Sequence, residues 1–204
     1  MALIYITDKI IEEDYPLSLY KKNIINKTTS EKRIEELING EKLLIKALVS
    51  SGFKVDLPLE IEIKNNNKPF LKNKNIYYNL SHSGNNYAIA IANQEVGIDI
   101  EIINDKHTML AKKILTNLEL ECYKKDPDKA AYITKIWTIK ESYLKMLGIG
   151  LTSELNQLET IYLSSDSFDL FSINDTKILC KKIDTYYLSI AFKNECENVE
   201  IIFL

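Results

Sequence analysis

The sequence predicts an α+β fold built from two similar halves, residues 1–103 and 104–204. Three observations point there. The hydrophobic period switches between helical and alternating spacing, the order strand, helix, strands runs through twice, and 204 residues with 46% hydrophobic content can enclose a real core. No sequence repeat is strong enough to prove duplication, so the halves rest on the matching order of elements, with "INDKH" as the linker.

The first half opens with a strand, "ALIYI", over Ala2–Ile6. In "TSEKRIEELINGEKLLIKALVSSG" the residues Ile34, Leu37, Ile38, Leu44, Ile45 and Leu48 recur at helical spacing. Thr28 and Glu31 fit a capping box and Gly52 a stop, while Gly40, costing about 1 kcal/mol against alanine, is a candidate break between two helices. From Leu59 the period changes: "LEIEI" alternates, "KNNNKP" is turn chemistry, "IYYNL" reads as a strand and "SHSGNN" as a loop. "YAIAIANQEVGIDIEII" reads as a β-hairpin with a short connection.

Lys106 to Gly148 is helical in pattern and closes with "DKAAYITKIWTIKESYLKMLG", whose apolar stripe is Ile133, Ile136, Trp137, Leu144 and Leu147. The strand candidates "TIYL", "TKILCKKI", "YYLSIAF" and "NVEIIFL" follow.

Composition removes several classes. A formal net charge of −3 argues against general attraction to nucleic acid or to an anionic membrane. The opening "MALIYITDKIIEEDYP" lacks the basic start and long apolar run of a signal peptide, and no stretch approaches the ~18 apolar residues of a membrane span. Cys122, Cys180 and Cys196 are odd in number and widely spaced, which reads as reduced thiols in a cytoplasmic protein.

Three places carry chemistry. On a strand, alternate side chains share a face, so Asp99 and Glu101 of "VGIDIEII" stand together about 7 Å apart at their Cα atoms. They read either as the wet face of an edge strand or as two oxygen ligands for a hard ion such as Mg²⁺, since no histidine or thiol accompanies them. In "KIWTIKESYLKM", Glu141 and Lys145 share a helix face with Thr138; alone they read as an exposed ion pair worth about 0.3–0.5 kcal/mol, and Lys140 as a neighbouring surface charge. In "NLSHSG", Ser81 and His82 lack the third orienting group of a hydrolase, so His82 reads as a phosphate contact or a satisfied polar residue. Lys68, before Pro69, reads as a phosphate-binding ammonium or an ordinary turn lysine.

Taken in order, "NKPF", "NLSHS", "VGIDIE" and "WTIKESYLK" resemble the 4′-phosphopantetheinyl transferases, specifically the longer, monomeric surfactin-synthetase type. The resemblance implies a pseudo-twofold pair of α+β halves with the active site between them. It implies transfer of phosphopantetheine from coenzyme A to a serine of an apo acyl or peptidyl carrier protein, leaving 3′,5′-ADP. On this resemblance Asp99, Glu101 and Glu141 are the Mg²⁺ carboxylates, and Glu141 is also the base for the carrier serine. Lys145 steadies or protonates the leaving phosphate, Ser81 and His82 contact the CoA phosphates, and Lys68 lies near the adenosine end. Glu119 orients Lys140 or Glu141, and Lys32, Arg33 and Lys42 meet the CoA 3′-phosphate. The segment from "SEKR" to Gly40 is shorter than in surfactin-type enzymes and lacks an expected arginine before the helix.

For the carrier, "HTMLAKKILTNLELECYKK" offers Met109, Leu110 and Leu115 to an apolar spot and Lys112, Lys113, Lys124 and Lys125 to an acidic helix, or else it is a solvated helix face. A monomer suffices, because one chain supplies both walls. Three other readings stay open: a non-catalytic CoA- or carrier-binding module of the same fold, a Mg²⁺-dependent phosphotransferase acting on a small nucleotide, which would lack a Walker-type phosphate loop, and a soluble structural protein.

Overall fold

The structure, a computed structural model, describes residues 2–9, 11–63, 68–71, 76–150, 154–165, 167–174, 176–193 and 198–204. In the first half β1 (Ala2–Thr7) leads to α1 (Leu19–Ile25) and α2 (Glu31–Ser50), then β2 (Ile61–Ile63), β3 (Pro69–Leu71), β4 (Ile76–Ser83) and β5 (Asn86–Ala92). The second half runs β6 (Val96–Ile102), a 3₁₀ turn Asp105–Leu110, α3 (Ala111–Ile114), α4 (Asn117–Lys125) and α5 (Lys129–Leu147). It closes with β7 (Ile161–Ser165), β8 (Asp169–Ile173), β9 (Thr176–Ile183) and β10 (Tyr186–Phe192), and β11 (Val199–Phe203) ends the chain. No helix among the described residues is long and apolar enough to cross a membrane.

One sheet has the order β11-β1-β5-β4-β3-β2 and the other β6-β10-β9-β8-β7. With β11 set aside, both place the first strand beside the last and step back through the others, so the α+β frame is used twice. Strand β6, which the division at residue 103 assigns to the first half, lies in the sheet of the second. By its ladder to β10, β6 opens the second sheet, and β11 returns to pair parallel with β1. The hairpin expected from β5 to β6 is absent for the same reason: β5 has β1 on one edge and β4 on the other, leaving no edge free for β6.

Alternation on β5 explains the layering. Ile89 and Ile91 face Leu43, Leu44 and Leu48 of α2, while Ala88, Ala90 and Ala92 face Ile98, Ile100, Leu188 and Ile190 across the gap between the sheets. On the outer side of the second sheet, Ile133, Ile136, Ile139 and Leu144 of α5 pack on Phe171, Ile178 and Ala191. Each helix thus covers one sheet, and the small alanines let the sheets approach.

Local details differ from the expectations in instructive ways. Helix α2 starts at Ser30, whose hydroxyl accepts from Arg33 N at 3.3 Å, and runs unbroken through Gly40. A Cβ at residue 40 would lie 3.1 Å from Leu80 Cδ1, so this glycine serves close approach of α2 to β4 and not a break. "SHS" continues β4 by pairing with β5 and is not a loop. Strand β8 went unread because "DLFSI" is short and lacks clean alternation. Leu147 is exposed, although it was placed in the apolar stripe of α5. The turn over 64–67 and Cys196 lie outside the described residues.

Candidate active site

The seam between β6 and α5 begins with a missing side chain. A Cβ on Gly97 would stand 2.0 Å from Ser142 O and 2.3 Å from Met146 N, so only glycine lets α5 lie directly on β6. Asp99 and Glu101 share the face of Gly97 by alternation, and Glu141 and Lys145 flank Ser142 and Met146 on the helix. The tight crossing therefore brings the four charged groups together. Lys145 Nζ donates to Asp99 Oδ1 at 2.7 Å and to Ser81 Oγ at 2.9 Å. Lys106 Nζ donates to Glu101 Oε2 at 2.6 Å.

The free edge of β6 faces β4. Asn79 Oδ1 accepts from Ile98 N at 2.9 Å, Ser81 Oγ from Ile100 N at 3.3 Å and Ser83 Oγ from Ile102 N at 3.2 Å. Ser81 then donates to Asp99 Oδ1 and Ser83 to Glu101 Oε2, both at 2.7 Å.

Burial governs the electrostatics. Asp99 and Glu141 are only 4% and 8% exposed, which excludes the wet-edge and surface-pair readings for them. Burial, then the neighbouring Asp99 charge, pushes the Glu141 carboxyl up to about 7 against the relief that Lys145 supplies. Burial also raises Asp99, outweighing Lys145 and Ser81. Among the described residues no three His, Cys, Asp or Glu side chains stand as a ready ligand set. Yet Asp99 Oδ2 and Glu141 Oε1 are buried with no hydrogen-bond partner. Unpaired buried carboxylate oxygens are costly, and hard oxygens of this kind suit a cation such as Mg²⁺, so the donor chemistry fits one.

The remaining predicted residues separate into two groups. On the α2 side of β4, Glu36 Oε2 receives both Arg33 Nη1 and His82 Nε2 at 3.0 Å, with exposed Lys32 beside them on the first turn of α2. His82 also stacks on Tyr87. The others are turned to structural contacts. Lys42 Nζ donates to Ile11 O at 3.2 Å. Lys68 is buried and donates to Val96 O at 3.0 Å and Met146 O at 2.8 Å, so it clamps β6 to the end of α5 instead of offering an ammonium to a ligand. Lys140, fully buried, donates to Glu119 Oε2, Ile114 O and Leu155 O, while Glu119 also accepts from Thr160 and caps α4 through Thr116 N. Glu119 therefore holds Lys140 on the far side of α5 from Asp99.

Sequence reasoning missed Asn79 and Ser83, whose only signal was the alternate polar positions they share with Ser81 on β4, and Lys106, five residues beyond Glu101 in the 3₁₀ turn. It also missed Lys21, half-buried near Glu41 and Arg33, which lines a cavity of about 140 Å³ with Tyr20, Tyr78 and Asn79. A larger cavity of about 730 Å³, between Leu19 and residues 56–62, shares no residue with the acidic seam. Leu115 is buried in the core and cannot meet a partner, whereas Met109 is 90% exposed and Leu110 is exposed beside it.

The 4′-phosphopantetheinyl transferase superfamily model matches residues 95–191, which contain the whole β6–α5 seam. The 4′-phosphopantetheinyl transferase psf-1 of Bacillus pumilus is 30% identical over 143 residues, 67% of this chain and 60% of that protein. The 4′-phosphopantetheinyl transferase gsp of Aneurinibacillus migulanus is 32% identical over 123 residues, 57% of this chain and 50% of its own length. The chain thus spans half to three-fifths of these relatives. A crystal structure of Thermotoga maritima holo-[acyl-carrier-protein] synthase covers 48% of this chain, and this chain 61% of it, at 20% identity with a TM-score of 0.40. Residues 95–191 thus match the 4′-phosphopantetheinyl transferase superfamily, and the chain is similar over more than half its length to curated 4′-phosphopantetheinyl transferases, among them Sfp of Bacillus subtilis at 26% identity.

Proposed function

We propose that this protein transfers the 4′-phosphopantetheine group of coenzyme A to a serine of an apo acyl or peptidyl carrier protein, with Mg²⁺ and with release of 3′,5′-ADP. The observation that carries this reading is the convergence of Asp99, Glu101, Glu141 and Lys145 where α5 lies on the bare Gly97. The carrier serine Oγ forms a bond to the β-phosphorus of the CoA pyrophosphate, and the bond from that phosphorus to the bridging oxygen breaks. The electron pair leaves with 3′,5′-ADP.

Glu141, whose carboxyl burial raises to about 7 in the metal-free protein, takes the serine proton. Lys145 gives the departing phosphate a proton or a positive charge. Asp99, Glu101 and Glu141 would hold Mg²⁺, which when bound neutralises and orients the pyrophosphate. Lys32, Arg33 and His82, gathered at the start of α2, receive the remaining CoA phosphate charge.

The carrier docks, on this reading, along exposed Met109 and Leu110, in the same 3₁₀ turn as Lys106, with exposed Lys112 and Lys113 meeting its acidic helix. Both walls of the cleft come from one chain, so the protein works as a monomer, and its substrates place it in the cytoplasm. Intact mass of apo acyl and apo peptidyl carriers after incubation with protein, CoA and Mg²⁺ tests the reading. One added phosphopantetheine, abolished by EDTA, is expected. Unmodified carriers beside measurable CoA binding would overturn transfer in favour of a binding module.

A further inference from the structure

We propose that the row Asn79, Ser81, Ser83 on β4 is a positioning device for the two strand acids, and that Ser83 is the residue that aims Glu101. An edge strand normally leaves every second N–H to water or to another strand. Among the described residues no strand pairs with the edge of β6 opposite β10. Side chains of β4 take its three free donors at Ile98, Ile100 and Ile102, two residues apart on both strands, at 2.9, 3.3 and 3.2 Å.

The consequence is directional. A serine hydroxyl has one proton and two lone pairs. With a backbone N–H fixed on the oxygen, the proton is left for the carboxylate beside that N–H, and both serines use it so: Ser81 on Asp99 and Ser83 on Glu101, each at 2.7 Å. Each acid receives a lysine on the same oxygen, Lys145 on Asp99 Oδ1 and Lys106 on Glu101 Oε2. One oxygen is thereby pinned, and Asp99 Oδ2 is turned away with no partner. Asparagine, with no hydroxyl proton to pass on, stands at the one place in the row where the neighbouring strand residue is Gly97 and not an acid. Ser83 is itself 8% exposed, so water does not readily replace its hydroxyl.

This inference rests on the proposal that the acids hold a divalent cation, and the test separates the two. The 204-residue chain is titrated with Mn²⁺ alone and free ion is counted by electron paramagnetic resonance, for wild type, Ser83→Ala and Ser83→Thr. Removing one hydrogen bond to a charged ligand group should weaken Mn²⁺ binding about tenfold in Ser83→Ala, and Ser83→Thr, which keeps the hydroxyl, should stay within about twofold of wild type. Equal affinity in wild type and Ser83→Ala, or an equal loss in both variants, would overturn the role of the Ser83 hydroxyl.

A wild-type protein that binds no Mn²⁺ overturns the cation reading instead. Ser83 is then judged by amide exchange at Ile102: slow exchange in wild type and Ser83→Thr but at least tenfold faster exchange in Ser83→Ala supports the row, and equal exchange in all three overturns it.

Discussion

The two halves share one frame and differ at one edge. Strand β1 has β5 on one side and the backbone of β11 on the other, whereas β6 has β10 on one side and only the side chains of β4 on the other. Ala2 pairs with the last residue of β5 and Val96 with the last of β10, so counting inward sets Leu3 against Gly97, Tyr5 against Asp99 and Thr7 against Glu101. By the same ladders Leu179, Lys181 and Ile183 of β9 stand where Asn79, Ser81 and Ser83 stand on β4. In the first half the edge is closed by main chain and Tyr5 is core, its hydroxyl on Ser51. In the second, leaving the edge to polar side chains creates the place where acids can be buried and steered. The comparison teaches that the chemistry follows from how an edge strand is satisfied and not from the frame.

The largest effect should come from closing the gap at Gly97. Gly97→Val would drive side-chain atoms into the α5 backbone, beyond the usual overpacking cost of about 1–3 kcal/mol, and should leave little folded protein, read as loss of a cooperative melt. The counterpart change, Leu3→Val, should lower the midpoint by only a few degrees, about what the loss of one half-buried methylene implies. Comparable melts for the two variants would remove the distinction between the halves.

Next in size is Lys68→Met, which leaves Val96 O and Met146 O without their charged donor. A loss of about 2–3 kcal/mol is expected in urea unfolding, with the affinity for CoA changed much less than stability. A fall in CoA affinity at unchanged stability would return Lys68 to the ligand side.

Glu141→Gln should act on stability in the opposite direction. A carboxyl raised in the folded state favours the folded protein below its unfolded value of about 4.5 and loses that contribution as pH rises through about 7. Removing the charge should therefore raise the melting temperature of the metal-free protein at pH 8 by about 2–4 °C, and much less at pH 5. A uniform change at both pH values would contradict the burial of this acid.

The smallest structural effect belongs to the rim. Lys112→Glu with Lys113→Glu, both exposed, should leave the melt unchanged while raising the KM for an acidic carrier about fivefold at low salt. An unchanged KM would move the docking surface elsewhere.

Much of this was legible in the sequence, and the limits have a common cause. The spacing of Asp99 to Glu101 and of Glu141 to Lys145 reported which side chains share a face, because that is a local property of strand and helix. Partner strands are not local. "YAIAIANQEVGIDIEII" looks like a hairpin by alternation and turn length, yet both edges of β5 are taken by strands distant in sequence. The same blindness turned Ser81 and Ser83 into loop residues and Lys68 into a ligand contact. In each case what decides the role is a partner on the other half: a β6 amide for the serines, and carbonyls on β6 and α5 for the lysine. Glycines 40 and 97 read as a break and a motif letter, and only the approach of Leu80 and of α5 shows why each must lack a side chain.

The central claim is that one of two similar frames carries the reaction, and a single-turnover mass measurement on an apo carrier protein with CoA and Mg²⁺ tests it most directly. With Asp99→Asn compared against its counterpart Tyr5→Phe, the account predicts at least a thousandfold slower loading for the first and near wild-type loading for the second. Near-normal loading by Asp99→Asn, or its abolition by Tyr5→Phe in a folded protein, would contradict it.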